Sequence, residues 1–173
     1  ILIVTILKFG AAGLSMGYLL QRLKFQQGYY ITLFAINYAL SGWFIANDLN
    51  LLWLDAAILL PFLILQLEHL FKTLTWWPYT IILSLTIISN YYIGYMIVIF
   101  LVLYFFWRIS WPKQIQPRWQ VLKQFIIGSF VSAALSAWLI FPTYYQLKLG
   151  KAQYNSDWSL RFDNDPLLSL IHI

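Results

Sequence analysis

Apolar runs of about 17–20 residues recur along this chain, separated by short polar links. At 1.5 Å of rise per residue such a run crosses a hydrocarbon core of about 30 Å. A water-soluble core helix has shorter runs broken by polar positions every third or fourth residue. Composition agrees: 61% of the 173 residues are hydrophobic and only 10% are charged, against roughly 25% charged in a soluble domain. So few charges cannot solvate a water-facing surface, and lipid must be the solvent for much of the chain. The expected fold class is all-α, a polytopic transmembrane helical bundle.

Six spans are expected, over about 1–20, 29–46, 51–67, 76–89, 91–107 and 124–141. The stretch 76–107 needs an argument of its own. As one helix it would extend about 48 Å, well beyond the hydrocarbon thickness. As two helices meeting at Asn90 it gives two short but feasible spans. Orientation favours the second reading, because Lys and Arg concentrate in short cytoplasmic loops. With a hairpin at Asn90, the links carrying Arg22 and Lys24, then Lys72, then Arg108, Lys113, Arg118 and Lys123 all face one side, which collects seven of the eleven basic residues. The opposite side then receives Asn47–Asn50, the Asn90 turn, and residues 143–173, read as the truncated start of an external segment. The chain opens inside an apolar run without an initiator Met, and is read as an internal fragment.

The net charge of +5 does not point to nucleic acid, since the basic residues flank apolar runs rather than lining one stripe. Cysteine is absent, which removes disulfides and thiolate metal sites. His69 and His172 are far apart and without a partner motif, so no metal site is expected from them.

The polar residues of the external side are the candidates for chemistry. In NDLNLLWLDAAILLP, Asp48 and Asp55 are about two helical turns apart, so a helix starting near Asn47 would stack them on one face, with Asn50 between. An ionised carboxylate at the depth of Asp55 must face a bundle interior or a wet cavity. Asp48 can equally be an N-terminal cap, and Asp55 a structural partner for a neighbouring helix. Asn90, Tyr91 and Tyr92 read either as a turn followed by belt tyrosines or as part of the same cavity. Lys8, about 12 Å inside the first span, can snorkel to the outer interface or contact a lipid-linked phosphate. The small residues of AAGLSMG and GSFVSAALSA are assigned to close helix packing.

LKFGAAGLSMGYLL, NYALSGWFIANDLNLLWLDAAILLPFLILQLEHL, ISNYYIGYMIVIFLVLYFF and LIFPTYYQLKLGKA together resemble bacterial YfhO-type membrane proteins. The resemblance is collinear over about residues 7–167, with WLDAAILLP and SNYYIGYM its most specific parts. Residues 168–173 fit it poorly. That family is similar to GT-C membrane glycosyltransferases, which implies transfer of a sugar from a polyprenyl-phosphate donor to a cell-envelope polymer such as lipoteichoic acid at the outer face. The resemblance implies that the main catalytic carboxylate lies upstream, in a first external loop. It leaves Asp48 and Asp55 a place in the substrate cavity; Asn50, Asn90, Tyr91 and Tyr92 stand beside them as cavity candidates from the residue reading, and Lys8 as a candidate phosphate contact. A carboxylate here can act as a base or hold a divalent cation. Two other classes remain open: a transporter or lipid flippase, which would carry polar residues to the midplane, and a non-catalytic scaffold for envelope assembly.

Overall fold

The computed structural model describes residues 2–25, 27–111 and 116–152, with side chains through 148. Among these residues all regular structure is helical: α1 (Leu2–Arg22), α2 (Gly28–Ala39), α3 (Gly42–Ala46), α4 (Leu51–Thr73), α5 (Trp77–Ser89), α6 (Tyr91–Ile109), α7 (Arg118–Leu135) and α8 (Ala137–Ala152). The described residues up to Ile140 form one compact unit, and those from Phe141 onward belong to a second.

Among the described residues four segments are long and apolar enough to cross a membrane: α1, the stretch Gly28–Ala46, α4 and α6; the pair α7–α8 brings the number to five if it is one broken span. Helix α5 is apolar but has only 13 residues, about 20 Å. Large apolar side chains point outward all along these helices, Leu14 at 78% and Leu103 at 65% exposure among them. Lipid is the environment in which such a surface is stable.

The helices depart from the simplest reading of the apolar runs in five places. The run 29–46 is broken at Leu40–Ser41, because Ser41 adopts an extended conformation (φ −64°, ψ 150°) ahead of Gly42. The third helix does not stop at Leu67. It continues to Thr73, where Leu74 closes it in the left-handed region (φ 60°). The last run starts earlier than 124, at Arg118 behind Pro117. It then breaks at Ser136, whose φ −92°, ψ 0° lies in the sparsely allowed bridge region. Finally, the chain stays helical through Pro142 to Ala152, where a polar external segment is expected. His172 and residues 153–173 lie outside the described residues.

Helix α4 is the shared centre. One face packs on α1 and the other on α5, α6 and α7. The larger core is built from Leu63, Leu67, Leu70, Tyr79, Leu101 and Phe105, with Phe105 stacked on Phe125 at 4.1 Å. The smaller joins Ala12, Ala39, Phe44, Leu54 and Ala57. Pro61 sits inside α4 and is buried, so it cannot donate to the carbonyl four residues earlier, that of Ala57. The Tyr38 hydroxyl donates to that carbonyl at 2.7 Å. Within a bilayer, where no water satisfies a freed carbonyl, this contact makes the proline tolerable.

The expected small-residue packing is present. A Cβ on Gly13 would stand 3.5 Å from the Ala35 carbonyl and the Ala39 methyl, so α1 and α2 are in van der Waals contact there. Gly128 lets α7 approach α5 more closely still, at 3.0 Å to the Tyr79 ring and 3.1 Å to Thr80 Oγ1. Hydroxyls stitch that interface. Thr80 donates to the Gly128 carbonyl (3.0 Å), Ser84 to Ser132 (3.1 Å), and Tyr79 shares a hydrogen bond with Ser129 (3.0 Å). Interhelical hydroxyl bonds of this kind hold membrane helices that have no hydrophobic drive to associate.

Candidate functional site

The polar positions singled out in the sequence gather at one end of the bundle, where α4 and α6 both begin. Trp53 and Tyr92 bring these two helix starts together, their ring centroids 5.9 Å apart. Asn90 is extended (φ −157°, ψ 112°) and its Oδ1 accepts the Ile93 amide at 2.9 Å. It is therefore the N-cap of α6, and its side-chain oxygen is committed to that role. Gly94 lies just inside, where a Cβ would stand 3.1 Å from Ile87 Cα, so the turn folds α6 tightly back on α5. Tyr92 is 55% exposed and its ring rests on Trp53; Tyr91 is half-buried.

Asp48 and Asp55 do not share a helical face. Helix α4 starts at Leu51 with Asn50 at the cap position, making no side-chain cap bond, so Asp48 falls in the preceding turn and is exposed. Neither stacking on Asp55 nor N-capping by Asp48 occurs. Consecutive apolar residues from Leu51 carry the helix, while the Asn50 amide is held by the Asn47 carbonyl at 3.0 Å in a turn. Asp48 instead meets α1 through its backbone, its carbonyl 3.5 Å from Thr5 Oγ1. A cleft of about 280 Å³ opens along Leu49–Trp53, with Asn50 on its wall.

Asp55 lies one turn inside α4, and its Oδ1 is 2.5 Å from Lys8 Nζ. The same ammonium donates to the Leu51 carbonyl at 2.8 Å. Lys8 therefore does not snorkel to the interface; it crosses from α1 to α4 and neutralises the carboxylate in place. The pair is not sealed: side-chain exposure is 18% for Lys8 and 38% for Asp55. A carboxylate and an ammonium so placed are mutually stabilised, yet a polar group arriving from the open side can reach both. Lys8 already occupies Asp55, and no three His, Asp or Glu residues converge among the described residues, so these side chains do not by themselves fit a divalent cation.

A second ionic centre, unanticipated from the sequence, lies at the other end of α4 and α6. Glu68 is buried at 6% exposure. Its Oε1 accepts from Arg108 Nε (2.9 Å) and the Tyr104 hydroxyl (2.8 Å), and its Oε2 from Arg108 Nη2 (3.3 Å). The Arg108 guanidinium also lies 5.3 Å from the centre of the Phe71 ring. Planar, two-pronged pairing suits Arg and carboxylate. With its charge so compensated, Glu68 can be part of a membrane helix, which is why α4 continues past Leu67. The signal in the sequence was an acid at the end of one apolar run and an arginine at the end of another, two helices later in the same direction.

Comparison with known proteins places these features in a family. The model of the family described as "Bacterial membrane protein YfhO" matches residues 1–172. A curated relative, "Uncharacterized protein YfhO" of Bacillus subtilis (strain 168), is 30% identical over 120 residues, covering 66% of this chain. The chain spans only 14% of that protein's length. No solved structure matches the chain. With helices arranged as membrane spans and a family match over nearly its whole length, the chain belongs to the YfhO family of bacterial membrane proteins.

Proposed function

We propose that this chain forms part of a membrane glycosyltransferase that moves a sugar from a polyprenyl-phosphate donor to a cell-envelope polymer, such as lipoteichoic acid, at the outer face. The observation that carries the reading is the half-open Lys8–Asp55 pair beside a rim bearing Asn50, Tyr91 and Tyr92. Sugar transfer from such a donor forms a bond between the anomeric carbon and an acceptor hydroxyl oxygen and breaks the bond from that carbon to the phosphate oxygen. The acceptor proton must go to a base, and negative charge must be stabilised on the departing phosphate. Asp55, one turn inside the start of α4, can take the proton, and the Lys8 ammonium paired with it can face the phosphate.

In this reading Asp55 and Lys8 support the reaction, and the principal carboxylate is supplied elsewhere in the longer protein. A transfer assay on the full-length protein, with a polyprenyl-phosphate sugar and an envelope polymer acceptor, tests it. Asp55→Asn and Lys8→Met should each lower turnover at least about tenfold, the loss expected on removing an acid–base or charge-stabilising group. Turnover equal to wild type in both variants would remove this pair from the chemistry.

A further inference from the structure

An open apolar groove of about 1050 Å³ runs along α1 and α2, with Ile58 and Phe62 of α4 on its floor. On α1 its wall extends from Phe9 to Gln21, about 18 Å of helix and so slightly more than one leaflet of hydrocarbon. Its two ends differ in charge. At the Phe9 end, the neighbouring Lys8 is already neutralised by Asp55. At the Gln21 end stand Arg22 and Lys24, both exposed, and neither has a carboxylate partner among the described residues. Helix dipoles do not offset this charge, because the C-terminus of α1 and the N-terminus of α2 sit side by side across one short turn.

The guanidinium is held ready. Arg22 Nε and Nη2 donate to the Tyr18 hydroxyl at 3.1 and 2.9 Å, and the group lies 5.1 Å from the centre of the Tyr18 ring. Tyr18 itself lines the groove. Of the five N–H donors of a guanidinium, those not used by Tyr18 remain for an anion at the mouth. The groove thus offers a cationic, pre-ordered head site continuous with an apolar track of leaflet length.

We propose that an anionic phospholipid binds here, its phosphate on Arg22 and one acyl chain along the α1–α2 groove. Charge complementarity at the Arg22 mouth selects this occupant over a zwitterionic lipid. Length and apolar lining suit a chain lying parallel to the helices. The site is at the end of the bundle opposite the Lys8–Asp55 pair and does not depend on the glycosyltransferase reading.

The test is photolabelling of the full-length protein in phosphatidylcholine vesicles carrying traces of a phospholipid with a photoreactive acyl chain, with labelled peptides mapped by mass spectrometry. A phosphatidylglycerol probe should label residues 9–21 and 31–40, and Arg22→Gln should reduce that labelling about fivefold, the loss expected for one cation beside an anionic headgroup. Gly10→Phe, at a position where a Cβ meets nothing within 4 Å, should suppress labelling at the Phe9 end and leave the Arg22 dependence intact. Equal labelling by a phosphatidylcholine probe, indifference to Arg22→Gln, or a groove covered by another helix of the protein and bare of label would each overturn the proposal.

Discussion

Lys8 Nζ and Asp55 Oδ1 stand 2.5 Å apart, joining the first helix of the chain to the fourth across 47 residues of sequence. Each removes the other's electrostatic penalty in a low-dielectric setting. Lys8→Met leaves Asp55 without its counter-charge and should destabilise the α1–α4 contact by about 1–3 kcal/mol, below the full cost for a buried pair because both groups are partly exposed. Combining it with Asp55→Asn should restore part of the loss. A double-mutant cycle on thermal unfolding in detergent reads this coupling, and strict additivity would mean the two charges do not interact.

At the far end of α4, breaking the Glu68 clamp should cost more. Arg108→Met strands a carboxylate that is 6% exposed, an effect of about 3–5 kcal/mol. Tyr104→Phe removes one neutral donor to the same carboxylate and should cost less, about 1.5–3 kcal/mol. Unfolding midpoints that rank the two variants in reverse would contradict the assignment of Arg108 as the principal partner.

Tyr38→Phe deletes one oxygen and leaves the Ala57 carbonyl with neither a helical N–H nor a phenol. The expected loss is about 1–2 kcal/mol. In the Pro61→Ala background the helical N–H returns, and the same substitution should become nearly silent. Equal costs in the two backgrounds would show that the hydroxyl does not serve the proline.

Gly128→Ala places a Cβ at 3.0 Å from the Tyr79 ring and 3.1 Å from Thr80 Oγ1, so α5 and α7 must separate. A destabilisation of about 1–3 kcal/mol is expected from overpacking. Gly10→Ala meets nothing within 4 Å and serves as the control; it should not destabilise, since alanine in a helix interior gains about 0.5–1 kcal/mol over glycine.

What the sequence discloses follows from which forces are local. Apolar run length and the absence of counterweighing charge make the helical membrane class legible, and the clustering of basic residues favours a turn at Asn90, where α5 and α6 do part. Helix ends are less legible because tertiary partners set them. Glu68 reads as a polar link until Arg108 and Tyr104 are seen to neutralise it. Asp48 and Asp55 read as one face only if the helix begins at Asn47, whereas the turn held by the Asn47 carbonyl delays it to Leu51. The pairing of Lys8 with Asp55 was within reach, since both fall at similar depth from the same rim with opposite charge. The phenol on Ala57 was not, because nothing in the sequence says which helix will face Pro61.

The most direct test concerns the common rim of α4 and α6, where Asp48 and Asn90 lie at one end of the bundle, the end that the proposed orientation puts on the outer side of the membrane. Single cysteines at positions 48 and 90, in a full-length protein otherwise free of cysteine, can be probed in intact cells with a membrane-impermeant maleimide. Both are predicted to label from outside. Labelling of one from outside and the other only after the membrane is opened would contradict the shared rim.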